Sequence, residues 1–233
     1  MKTPLLSIEN LVAGYRGRPV ITGLHLEIAE GERVALIGPN GCGKSTLLRA
    51  VVAEIVEDSG GIQHRGDEIA TFTTDQVIRH GVGYLRQNRN IFPGLSVEAN
   101  LELAAWGDGI NRDSVMAAFP VLSGRESVRA GLLSGGERQA LAVAMALMRP
   151  VSLLLLDEPL AGLSPKSATA LLQGLNTIQS QRGLGFIMVE HRLKLIRSSV
   201  DRVIIMVRGE VREDTRDLSI LEDQERLEKH YLL

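Results

Sequence analysis

The run Gly38-Pro39-Asn40-Gly41-Cys42-Gly43-Lys44-Ser45 has the spacing G-x-x-x-x-G-K-[ST]. Such a run can cradle a triphosphate. Glycines let the backbone curl closely around phosphate oxygens, with its N–H groups turned inward at the positive end of a helix. In that arrangement Lys44 meets the β- and γ-phosphates, and the Ser45 hydroxyl ligates a Mg²⁺ that arrives with the nucleotide. Further along, the apolar run Leu153–Leu156 ends in Asp157-Glu158. Two carboxylates at the C-terminal end of a buried strand lie where open α/β sheets bind ligands. Asp157 suits the Mg²⁺ shell. Glu158 suits the polarisation of an attacking water, so the pair points to hydrolysis rather than mere nucleotide holding. The alternative is a solvated Asp-Glu-Pro turn, and the phosphate loop argues against it.

A third segment, Leu133-Ser134-Gly135-Gly136-Glu137, puts a serine and two glycines at the start of a helix, which makes a second anion site. One nucleotide does not need two such sites. Taken alone, the segment reads equally well as the capped start of a buried helix, with Ser-x-x-Glu as a capping box.

These residues need a scaffold, and the hydrophobic pattern supplies one. Leu5–Val12 and Val20–Ala29 read as antiparallel strands around a turn at Gly14–Pro19. Arg33–Ile37 reads as a strand leading into the glycine loop, and Ser45 onwards as a helix. A polar, glycine-containing stretch at Gly60–Gly66 precedes a strand at Val82–Leu85. Helices are expected at Ser96–Trp106, Arg112–Phe119 and Ser134–Met148. Leu153–Leu156, Gly185–Val189 and Arg202–Val207 are apolar on both faces, as in a parallel sheet covered by helices. A helix from Pro165 to about Gln181, capped by Ser164, separates the first two. The tail from Glu210 reads as one amphipathic surface helix. The expected fold is α/β, a P-loop NTPase core with a mainly parallel sheet, an antiparallel β lobe and a helical insertion at about Gln87–Pro150.

Composition narrows the function classes. A chain of 233 residues with 44% hydrophobic and 23% charged residues buries a substantial core and is neither disordered nor collagenous. With 26 Lys plus Arg against 28 Asp plus Glu, it lacks the positive excess of a nucleic-acid binder. The longest apolar runs fall well short of the ~20 residues that cross a bilayer, and the N-terminus does not resemble a secretory signal. A single cysteine excludes an internal disulfide, and five scattered histidines assemble no zinc site. His25, His64, His80 and His230 read as structural or solvated, and Met145, Met148, Met188 and Met206 as core filler.

Taken together, the loop, the acidic pair and the Leu133–Glu137 segment resemble the ATP-binding cassette family of transporter ATPases, whose signature reads LSGGQ or close to it. The resemblance covers nearly the whole chain. It implies one ABC ATPase domain over residues 1–233, with a helical subdomain at about 87–150 and a tail at 210–233. It also supplies three further roles. Tyr15 looks like the aromatic residue that stacks on adenine, Gln87 like the Q-loop glutamine, and His191 like the switch histidine that donates to the γ-phosphate. The implied site binds ATP through Tyr15, Gly38 to Thr46 and Ser134 to Glu137, and Mg²⁺ through Ser45, Gln87 and Asp157. Lys44, Gln87, Glu158 and His191 carry the chemistry.

The resemblance further implies a head-to-tail dimer, in which the signature of one chain completes the ATP site of the other. Membrane permease subunits would receive the motion through a groove near Gln87, and a solute-binding protein would act indirectly. The expected place is the cytoplasm, peripheral on the inner face of a bacterial membrane, with no nucleic-acid partner. Phe119-Pro120-Val121-Leu122, Ala130-Gly131, Gln139-Ala140-Leu141-Ala142 and the ending Tyr231-Leu232-Leu233 look like cassettes of branched-chain or hydrophobic amino acid importers. Urea-type importers and the lipopolysaccharide exporter have similar sequences. The solute, and whether the partner cassette is a copy or a related chain, stay open. A non-transport soluble cassette is the alternative of a different class. A P-loop kinase or GTPase would have no use for Leu133–Glu137.

The chain departs from the family pattern at Ser164, where many cassettes carry an aspartate, and at Glu137, which replaces glutamine. Cys42 lies inside the phosphate loop, and its alkylation is expected to block nucleotide by bulk.

Overall fold

The computed structural model describes residues 3–55, 57–88, 90–105 and 112–231. Two long strands, β1 (Leu6–Tyr15) and β2 (Arg18–Ile28), form an antiparallel hairpin. Its turn is shorter than the sequence suggests. Only Arg16 and Gly17 lie outside the strands, both at positive φ as a two-residue hairpin turn requires. Pro19 is tolerated within β2 because that strand is a sheet edge. β3 (Arg33–Ile37) follows, then the glycine loop and α1 (Lys44–Val51).

The stretch around Gly60–Gly66 is not merely a polar connection. It forms β4 (Glu57–His64) and the short β5 (Asp67–Glu68), which complete a four-stranded sheet in the order β2-β1-β4-β5. Its glycine content hid it, since glycine weakens strand patterning while allowing close approach at irregular pairings. A short helix that the pattern did not reveal, α2 (Thr74–Arg79), then leads into β6 (Val82–Leu85). At the end of β4 the fully buried His64 shares Nδ1 with His80 Nδ1 at 2.9 Å and Nε2 with Ser152 Oγ at 3.0 Å. His80 Nε2 lies 3.0 Å from Asp67 Oδ2, so the two histidines form a structural relay between the β lobe and the core.

Between β6 and β7 the described chain is helical: α3 (Val97–Ala104), α4 (Arg112–Ala118) and α5 (Gly135–Ala146). Ser96 caps α3 as its position suggests. Trp106, expected to close that helix, lies outside the described residues, as do Leu232 and Leu233. The core strands follow their expected bounds closely: β7 (Leu153–Asp157), β8 (Gly185–Val189) and β9 (Arg202–Val207). The connecting helix α6 (Pro165–Arg182) starts at Pro165 with Ser164 as its cap, and the one-turn α7 (Leu193–Ile196) follows β8.

The tail corrects the sequence reading. Glu210–Thr215 is not helical but forms β10, antiparallel to β9, and its side chains alternate between exposed and half-buried as those of a sheet-edge strand do. A helix appears only at α8 (Gln224–Tyr231), which packs through Leu227 and Tyr231.

The main sheet runs β10-β9-β3-β8-β7-β6, parallel except for β10. Alternate side chains serve two cores, as the period of two demands. Leu154 and Leu156 join the helical side with Leu141 and Leu175. Leu153 and Leu155 join the β-lobe side with Leu47 and Ile62. Burying both faces explains why these strands read as unbroken apolar runs. Met145, Met148, Met188 and Met206 are all buried. No helix among the described residues is long and apolar enough to cross a membrane.

Candidate active site

The neighbours β3, β8, β7 and β6 end at one level. Leu36 pairs with Val189, Val189 with Asp157, and Leu156 with Leu85. Their C-terminal ends therefore deliver the glycine loop, His191, the acidic pair and Gln87 to one edge of the sheet, where the parallel arrangement opens a crevice.

The loop needs glycine at its first position. Gly38 has φ 151°, and a Cβ there would lie 2.1 Å from the Met206 carbonyl oxygen. The loop then passes through Gly43 into α1, so its N–H groups gather at a helix start. Lys44 is buried, and its Nζ donates to the Gly38 and Pro39 carbonyls at 2.8 Å each. The ammonium thus folds back into its own loop, 3.7 Å from Cys42 Sγ. Cys42 is buried too, which leaves an alkylating reagent less access than its position in the sequence implied.

Ser45 Oγ donates to Asp157 Oδ1 at 3.0 Å, and the Tyr84 hydroxyl reaches Asp157 Oδ2 at 3.4 Å. Asp157 is 4% exposed. Burial holds its carboxyl above the usual range; the Ser45 hydrogen bond pulls against that shift and the Glu158 charge adds to it. Tyr84 is pushed up to about 12 by burial and by Asp157, so it remains a donor. A desolvated carboxylate joined to a hydroxyl is a fitting cradle for a divalent cation. Among the described residues no group of three or more His, Cys, Asp or Glu could hold a metal ion. Mg²⁺ does not require one, because it keeps waters and takes substrate phosphates beside one or two carboxylates.

Glu158 occupies the left-handed region with φ 52°, unusual for a residue with a side chain and a strain found at functional positions. Its N–H donates to the Val189 carbonyl at 3.0 Å. Gln87 Nε2 donates to Glu158 Oε2 at 2.8 Å, and His191 Nε2 lies 3.1 Å from Oε1. The carboxylate can only accept, so this contact puts a proton on His191 Nε2. Tyr15 is 42% exposed, and its hydroxyl accepts from Arg49 Nη1 at 3.2 Å, which ties the ring to α1. Sequence reasoning missed Arg49, Tyr84 and Glu190. Only Glu190 carried a signal, an acidic residue closing a wholly apolar strand just before His191.

The Ser134–Glu137 turn realises its capping box. Glu137 N donates to Ser134 Oγ at 3.3 Å and Ser134 N to Glu137 Oε2 at 2.7 Å. That backbone hydrogen bond from Ser134 holds the Glu137 carboxyl below the usual range. The two glycines differ in use. Gly135 faces open space, whereas a Cβ on Gly136 would lie 2.7 Å from Ser167 Oγ on α6. The turn borders a groove lined by Phe119, Val121, Lys166 and Leu171. Among the described residues no hydrogen bond joins it to Gly38–Thr46. Ser164, the departure from the family pattern, caps α6 by accepting from Ser167 N at 3.2 Å.

A family model described as ABC transporter matches residues 21–161. The probable branched-chain amino acid transport ATP-binding protein LivF of Archaeoglobus fulgidus is 35% identical over 214 residues, which are 89% of this chain and 90% of that one. The lipopolysaccharide export system ATP-binding protein LptB of Escherichia coli is 32% identical over 227 residues, 94% of this chain and 93% of that one. The fold matches a crystal structure of a nucleotide-free ATP-binding cassette from an ABC transporter, with a TM-score of 0.86 over 97% of this chain and 98% of that one, at 22% identity.

Proposed function

The chain belongs to the ABC transporter family as one of its ATPases, and on that premise we propose that it powers import of branched-chain or other amino acids through separate membrane permease subunits. The observation that carries the catalytic part is the Glu158 carboxylate held between Gln87 and His191, one residue beyond the Asp157–Ser45 pair.

In this reading Lys44 leaves the Gly38 and Pro39 carbonyls to meet the β- and γ-phosphates, while the N–H groups of Gly38 to Thr46 cradle them. Tyr15 stacks on adenine. Ser45, Asp157 and Gln87 would hold Mg²⁺, which would supply charge neutralisation on the phosphates. Glu158 accepts a proton from the attacking water, and His191 releases Glu158 to donate towards the γ-phosphate. The Ser134–Glu137 turn, separate from the loop of its own chain, completes the site of a neighbouring cassette. Residues 1–233 act as one ATPase domain, and the helical arm over about 87–150 passes the motion to the permease. The chain sits peripherally on the cytoplasmic face of the membrane, held by its partners.

Glu158→Gln tests the site. Turnover should fall by about 10²- to 10⁴-fold, the usual worth of a positioned proton acceptor, while ATP binding persists and a nucleotide-dependent dimer accumulates on a sizing column. Near-normal turnover removes Glu158 from the role. The solute is tested separately, by ATP-driven uptake of labelled leucine into proteoliposomes containing the copurified permease. The likeness to LptB supports an exporter as the second reading, and failure of uptake with recovery of lipopolysaccharide-handling partners would favour it.

A further inference from the structure

Glu190 is 3% exposed, and no lysine, arginine or histidine pairs with it among the described residues. A buried carboxylate without a cation persists only if backbone donors satisfy it. Three do. Oε2 accepts from His191 N at 2.9 Å and Arg192 N at 3.2 Å, within its own turn. Oε1 crosses to the next strand end and accepts from Leu160 N at 2.7 Å. Arg192 Nη1 spans the same gap from the same turn, donating to the Leu160 and Leu163 carbonyls at 3.3 and 2.8 Å.

One side chain therefore ties both halves of a functional contact. His191 and Glu158 meet at 3.1 Å, and Glu190 fixes the backbone of His191 and that of Leu160, two residues beyond Glu158. We propose that Glu190 is a positioning residue that clamps the Leu160–Leu163 loop to the His191 turn, presetting the His191–Glu158 geometry for turnover without touching nucleotide. This rests on the catalytic reading of Glu158 and His191 given above.

The chemistry of the amide makes the test. In Glu190→Gln only one side-chain oxygen remains, and the amide nitrogen must face an N–H that can only donate, so one set of bonds is lost. Steady-state hydrolysis by the full chain should show kcat lowered at least tenfold, with KM and the affinity for a fluorescent ATP analogue within twofold. If Glu190 acts through His191, adding Glu190→Gln to His191→Ala should lower the single-turnover rate no further. Glu190→Asp covers the case in which the amide variant fails to fold. One methylene shorter, it keeps its local partners but falls short of Leu160 N, and should show the same selective loss of kcat. Unchanged kcat in either folded variant, a raised KM with kcat kept, or losses that multiply with His191→Ala would overturn the proposal. Normal turnover in Glu158→Gln would instead overturn the catalytic reading itself, which separates the two failures.

Discussion

Under the proposed function a single residue, Lys44, waits for its substrate. Its ammonium makes two charge-assisted hydrogen bonds inside the loop, and phosphate oxygens would replace both carbonyls. Hydrogen bonds to charged groups are worth about 1.5 to 3 kcal/mol net, so Lys44→Ala should weaken ATP binding by roughly 10- to 150-fold in a calorimetric titration. An affinity within twofold of the parent would take Lys44 out of the phosphate site. His64 supports a prediction of another kind. Burial, with His80 and Arg65 nearby, lowers it from 6.5 to about 4. Between those values the unfolded chain binds more protons than the folded one. Stability should therefore rise from about pH 4 to about pH 6.5, by at most about 1.4 kcal/mol per unit, and be level above. Urea midpoints across that range should lose this component of slope in His64→Gln, and equal slopes in both proteins would refute the assignment.

Elements carry the parts of the site that single residues cannot. Helix α5 starts with a reciprocal cap, so Ser134→Ala should lower chain stability by about 0.5 to 2 kcal/mol. Under the proposed function the same change also weakens the nucleotide-dependent dimer. Gly136→Ala separates packing from ligand contact, because its methyl group would press on Ser167 and cost about 1 to 3 kcal/mol. A thermal midpoint unchanged from the parent would show that α5 and α6 can part without cost. The elements also show what sequence could reveal. Strands buried on both faces were legible because apolar runs bounded by glycine and acidic residues leave few alternatives. The glycine loop was legible because its chemistry fixes its spacing. β4 and β10 were not, since glycine blurs one and charge disguises the other, and each forms only because a neighbouring strand offers a free edge. Contacts such as Glu190 with Leu160 were invisible because 30 residues of chain separate the partners.

At the scale of the whole molecule, apolar surface remains uncovered beside the groove lined by Leu85, Asn90, Phe92 and Met145. Phe92 is 50% exposed. If the permease docks there, Phe92→Ser should leave stability of the isolated chain within about 0.5 kcal/mol and its ATP hydrolysis intact, yet reduce the membrane subunits retained in mild detergent. Undiminished retention would move the docking surface elsewhere. The opposite flank of the sheet ends in β10, whose outward residues Glu210, Arg212 and Asp214 fringe the edge with charge. Such a margin discourages a second molecule from extending the sheet by strand addition. In the proposed dimer, two copies would then meet through loops and helix tips rather than through a shared sheet.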